Sequence, residues 1–305
     1  MVSFWRGVLF ALVGVSLAGC AGLTQIEDTI TKYDQGAHSV SAAEMNFFKS
    51  VQTVDCTSQF YLQAIGWANG TEHNFYINGI CTPTILTDDQ IKTRQALMDA
   101  ITLYADKMAA LASRDDSKTL DTNSQKLASN INNMAKQHQF SALPVAADVE
   151  AAIIGISDMV LDQKKFAEIK KAARDMQPDL QTVVMTLQKE NIIFAQGIAS
   201  KIDRIEAALR PLVAAEKQRG MVSFLDLLEA RRILQSANPF STTSLAADPD
   251  KDPQNVALQL NKALDAVLNA NKAIASAGTG GIIASVNDLI ARAQAAQSIQ
   301  TALNK

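Results

Sequence analysis

The groups in this chain that could do chemistry are few and scattered. Cys20, Cys56 and Cys81 are its cysteines, and His38, His73 and His138 its histidines. Thiols in an oxidising compartment can bridge. The histidines read as isolated. None follows a glutamate by three residues, so the Glu-x-x-His pattern of di-iron bundles is missing. His-Glu-x-x-His, Gly-x-Ser-x-Gly and Ser-x-x-Lys are missing too. Asp248-Pro249-Asp250-Lys251-Asp252 has the alternating oxygens with which calcium loops open. However, Pro253 stands where such a loop needs glycine, and Gln259 where it needs a bidentate glutamate. A solvated, helix-capping loop is favoured there. Gly278-Thr279-Gly280-Gly281 before a helix could present backbone N–H groups to a phosphate. A helix precedes it rather than a strand, and a plain interhelix turn is favoured. No catalytic residue, metal or cofactor is expected from these patterns, and the chain is read as not an enzyme.

The elements that must position these groups are helices. Aromatics are 6% of the chain, with 14 glycines and 7 prolines in 305 residues, a helix-forming composition. The formal charge is −3, without the basic patch that nucleic acid requires, so no nucleic-acid partner is expected. Thr24-Gln25-Ile26-Glu27 is a capping-box pattern, followed by Ile26, Ile30 and Tyr33 at helical spacing. Ser41-Ala42-Ala43-Glu44 repeats it, predicting a second helix to about Ile65 with Phe47, Val51 and Val54 inward.

Residues 66–86 break the pattern. Phe75-Tyr76-Ile77, the turn Asn78-Gly79 and Ile80-Cys81-Thr82 predict a short β-hairpin, because Asn-Gly supplies the positive-φ pair of a type I′ turn. A Cys56–Cys81 disulfide is favoured over two buried thiols. It would restrict the unfolded chain by roughly 3–4 kcal/mol in the loop-entropy account. Trp67 lies in the same stretch as Phe75 and Tyr76, in a chain otherwise poor in aromatics. These are candidate partner-binding residues, because such side chains are enriched at binding hot spots. The competing reading is that they cover the hairpin's own small core.

Thr87-Asp88-Asp89-Gln90 opens the next helix, whose seam is Leu97, Ile101, Tyr104, Met108 and Leu111. Leu120, Leu127, Ile131 and Met134 carry another stripe, and Pro144 ends that unit. From Leu180 to Leu212 one long seam runs through Val184, Leu187, Asn191, Phe194, Ile198 and Ile202, a rod of about 45 Å over its first thirty residues. Asn191 is read as an edge position reaching water rather than as a register-setting polar pair. Met221 to Leu234 forms a further helix, and residues 239–252 a loop. Asp252 caps a helix opening at Pro253, with Leu260, Leu264, Val267, Asn271 and Ile274 along one side. The last helix turns Val286, Ile290, Ala293 and Ile299 inward. The sum is an all-α, elongated antiparallel bundle of about 8–9 helices with one hairpin-like excursion, in one domain with a possible subdivision near 141–147.

Residues 1–19 have the parts of an export signal: Arg6, an apolar run over Val8–Val15, and the small residues Ala18 and Gly19. The run is too short to span a hydrocarbon core, which takes about 20 residues. Leu17-Ala18-Gly19-Cys20 resembles the lipobox of bacterial lipoproteins. That resemblance implies cleavage before Cys20, a diacylglycerol thioether on its sulfur and an acylated, palmitate-type N-terminus. Two or more chains make such an anchor stable where one is marginal. Position 21 is Ala rather than the Asp that commonly retains these lipoproteins at the inner membrane. The resemblance therefore implies the periplasmic face of an outer membrane. The expected function is a lipid-anchored envelope protein that docks a protein partner, as an accessory subunit or an immunity-type lipoprotein. The alternative is a helical bundle that binds a small ligand or lipid.

Overall fold

The computed structural model describes residues 4–68, 83–113, 151–152, 154, 156, 166–216 and 251–303. Among these the chain is all-helical, without a strand. Six helices are defined: α1 Phe4–Ala68, α2 Asp88–Ala112, α3 Phe166–Asp175, α4 Gln177–Glu216, α5 Pro253–Ser276 and α6 Thr279–Leu303. No helix among the described residues is long and apolar enough to cross a membrane. The predicted hairpin over Phe75–Thr82, the stripe from Leu120 to Met134, the Met221–Leu234 helix and residues 248–250 lie outside the described residues.

Where a helix end is set by local chemistry, it falls where the sequence puts it. Thr87 caps α2: its hydroxyl accepts from Gln90 N–H, and the Gln90 side chain accepts from Thr87 N–H at 2.9 Å. Asp88 and Asp89 sit in the first turn, where the helix dipole favours negative charge. Asp252 caps α5 by accepting from Asn255 N–H at 3.0 Å, with Pro253 in the first turn, where its missing N–H costs nothing. The Gly-rich segment is an interhelix turn: only Ala277 and Gly278 separate α5 from α6.

The two helices expected from Thr24 and from Ser41 are one. α1 runs unbroken through both capping patterns for 65 residues. The reason is tertiary. Ser41 and Glu44 are buried, and the Glu44 carboxylate takes Asn191 of α4 instead of reaching back to its own backbone. Around Ile26 to Tyr33 α1 buries one stripe. From Val40 to Ser58 it is covered on nearly every side, with Phe47, Phe48, Val51 and Val54 fully enclosed. It is the axle of the bundle. Tyr33 stacks edge-on with Tyr104, and Gln52 bonds Asp88, so α1 and α2 are antiparallel. Glu44 meets Asn191 while Asp55 meets Lys201, so α1 and α4 are parallel. α4 and α5 are antiparallel, because Gln188 meets Asp265 and Gln177 meets Asn271.

α6 is the edge helix. Its buried residues Ile282, Val286, Leu289, Ala293, Ala296 and Ile299 step by four and three, a single narrow seam, and Ile290 is only half-buried. It runs parallel to α1, with Leu289 at Gly36 and Gln297 at Ser39. A Cβ on Gly36 would stand 2.7 Å from Leu289 Cγ, so this approach requires glycine.

Candidate functional site

The described residues gather their polar chemistry into separate centres along α1. The deepest joins four helices. Glu44 of α1 accepts from Asn191 Nδ2 of α4 at 2.9 Å, and the same amide donates to Asn261 Oδ1 of α5 at 2.9 Å. Beside it, Arg94 of α2 pairs with Glu190, the residue before Asn191 on α4, and lies 5.2 Å over the Phe194 ring. Glu44 and Asn191 are fully buried, and Arg94 and Glu190 nearly so. Asn191, expected at an edge reaching water, is thus the reverse: a buried polar contact that fixes the register of α4 against α1 and α5. Glu44 Oε2, Glu190 Oε2, Asn191 Oδ1 and Arg94 Nε find no hydrogen-bond partner among the described residues. Burial pushes the Glu44 carboxyl up to about 8; the Asn191 bond opposes this and the Glu190 charge adds to it. Burial also raises Glu190, against the pull of Arg94. Two carboxylates facing one guanidinium leave the centre short of a positive charge, which a proton supplies.

The second centre lies three turns further along α1. Asp55, fully buried, accepts from the N–H of Thr84 and of Ile85, from the Thr84 hydroxyl, and from the Lys201 ammonium of α4. Burial alone would raise its carboxyl. Lys201 and the backbone N–H groups of Ile85 and Thr84 together hold it below the ordinary range. The carboxylate thereby pins the residues that lead into α2.

The third centre is open to solvent. Asp34 and His38 stand one turn apart on α1, and Asp106 of α2 faces them. His38 Nε2 lies 2.8 Å from Asp106 Oδ1 and 3.5 Å from Asp34 Oδ1. One ligand atom of each lies within 4.8 Å of the others. His38, read as isolated in sequence, is therefore not isolated. Burial chiefly raises Asp34, to about 6, with neighbouring Asp106 adding to the rise and His38 opposing it. The Asp106 hydrogen bond raises His38, against partial burial. The spacing Asp34-x-x-x-His38 was a legible sign, since residues four apart share a helix face. Asp106 could be added only by the fold.

A fourth contact is structural. Asn271, expected inward, is fully buried and donates to Ala173 O at 3.0 Å and to Gln177 Oε1 at 2.6 Å, while accepting from the Tyr104 hydroxyl. This ties the α3–α4 junction to α5 and α2.

The residues singled out from sequence fall as follows. Cys20 lies on α1, in its N-terminal third. Cys56 is half-buried on α1 next to Asp55. Trp67 is in the last turn of α1. Cys81, Phe75 and Tyr76 lie outside the described residues, and with them the Cys56–Cys81 bridge and the aromatic trio. A shallow, open hollow between α5 and α6 is lined by Asn269, Lys272, Ser276 and Asp288 among others. Large apolar side chains do reach the surface at Met185, Ile192 and Ile193 of α4, Leu258 of α5 and Leu62 of α1. No known protein family, characterised protein or solved structure matches this chain.

Proposed function

We propose that this protein is a lipid-anchored envelope protein that docks a protein partner, held through Cys20 at the periplasmic face of an outer membrane. The observation that carries the reading is the continuity of α1. The lipobox-like residues Leu17–Cys20 sit on the same helix that, from Val40 to Ser58, is the axle of the bundle. No linker intervenes, so an anchor at Cys20 would hold the body near the bilayer with a defined tilt. Such a mount suits a subunit that must meet its partner at a fixed height. From Cys20 to Ala68 the helix would rise about 70 Å. The exposed stripe Met185–Ile192–Ile193 on α4 supports docking through a helix face. The Trp67 stretch, with Phe75, Tyr76, a hairpin at Asn78-Gly79 and a Cys56–Cys81 bridge, forms the second docking element of this proposal. The 8–9 helices belong to it as well.

Metabolic labelling with a fatty-acid probe tests the anchor. The native chain is expected to take up label and Cys20→Ala none; equal labelling of both would end the reading. Crosslinking in native envelopes then tests docking. A stoichiometric partner is expected with the native chain and a weaker one with Cys20→Ala. Envelopes in which the native chain crosslinks to nothing would remove the docking role.

A further inference from the structure

We propose that Asp34, His38 and Asp106 form a binding site for a divalent first-row transition metal ion such as zinc, clamping α1 to α2. The donor set is one imidazole nitrogen and two carboxylates. This mix suits zinc and its neighbours; calcium and magnesium prefer all-oxygen sites. The spacing is that of a helix chelate: Asp34 and His38 are four residues apart on one face, the separation that puts two ligands on a single ion. Asp106 supplies the third ligand from the facing helix.

The distances are near those of an assembled site. Ligand atoms about 2.0–2.2 Å from zinc lie roughly 3.4 Å from one another in a tetrahedron. His38 Nε2 is 3.5 Å from Asp34 Oδ1 and 2.8 Å from Asp106 Oδ1, and all three ligand atoms lie within 4.8 Å of one another, so side-chain rotation without movement of the helices can gather them on one ion. A second observation points to a cation. Asp34 Oδ1 is shut off from water and finds no hydrogen-bond donor among the described residues. Its nearest counter-charge is an imidazole held mainly by Asp106. With His38 neutral the trio carries two negative charges, and with His38 protonated one still remains. A dication neutralises both. Entry needs no opening of the bundle, because His38 is 48% exposed, Asp106 27% and Asp34 22%. The outward side leaves a fourth position to water.

This inference does not depend on the lipid anchor. The test uses the full chain in detergent, stripped with chelator and titrated with zinc chloride by calorimetry, with melting followed in parallel. One zinc ion per chain and a raised melting temperature are expected. His38→Ala and Asp106→Asn should each weaken binding at least tenfold, whereas His138→Ala should leave it unchanged. Calcium at the same concentration should not shift the melt. Cobalt in place of zinc should give a visible absorption band that His38→Gln, which keeps the size and polarity of the side chain, abolishes. Zinc binding equal in the native chain and in His38→Ala would overturn the site. So would an absence of any saturable heat, which would leave the trio as a proton-held ion pair.

Discussion

Glu44 and Asp55 sit on the same helix, eleven residues apart, both fully buried, and their surroundings treat them in opposite ways. Asp55 is met by an ammonium, two backbone N–H groups and a hydroxyl, so its charge is stabilised and its carboxyl held down. Glu44 is raised to about 8 by burial, which one amide only partly opposes and the nearby Glu190 carboxylate reinforces, so it is neutral in acid. A buried acid is therefore not a single kind of object. Burial raises both, and what separates them is the number of donors aimed at the carboxylate to oppose it. The Asp55 centre closes a loop onto the bundle. The Glu44 centre specifies which helices meet and leaves polar atoms without a partner among the described residues in doing so.

The sharpest way to break this contrast is Asp55→Ala. It strands the Lys201 ammonium and the Thr84 and Ile85 N–H groups, and should cost about 3–5 kcal/mol, read by urea unfolding. Arg94→Met should cost a similar 3 kcal/mol or so by stranding Glu190, but the pair Arg94→Met with Glu190→Leu should recover most of it, because removing both charges also removes the desolvation. A double variant no better than the single one would mean that the ion pair is a net stabiliser.

The pH dependence separates the two centres further. The Glu44 carboxyl is raised in the fold, so the folded chain holds a proton that the unfolded chain releases near 4.5. Its stability contribution is full below that value and is lost as pH rises towards about 8. Asp55 has the other sign. Its contribution is present above the ordinary 3.8 and is lost as pH falls below it. Glu44→Gln should flatten the fall of the melting temperature between pH 5 and pH 8 and leave the acid limb in place. An unchanged slope would show that Glu190, not Glu44, carries the proton. Thr84→Ala is the smallest test: the hydroxyl bonds to Asp55 go and the Thr84 N–H remains, so about 1 kcal/mol is expected from the same unfolding curves.

The same pair shows what was legible in sequence. The all-helical class, the seam of α2 and the caps at Thr87 and Asp252 follow from contacts within a few residues, and the fold keeps them. Ser41 and Glu44 carry a pattern identical in type to Thr87 and Gln90, yet no helix begins there. The difference is Asn191, 147 residues away along the chain, which claims the Glu44 carboxylate. Asn191 itself stood on the apolar seam, and only the arrangement of α1 and α5 around it decides whether such a position is wet or dry. His38 looked isolated because Asp106 is 68 residues away. Polar residues are settled by long-range partners, and for these a sequence gives the positions but not the pairings.

Gly36 gives the edge helix a mechanical meaning. There α6 rests on α1 with no side chain between the helix backbone and Leu289. α6 is held by one narrow seam, whereas α1 from Val40 to Ser58 is covered on nearly every side. A load entering α1 from its N-terminal end therefore reaches the α6 seat before it reaches the enclosed stretch. That seat is the first point loaded, and its tightness rests on the absence of a single methyl group at position 36.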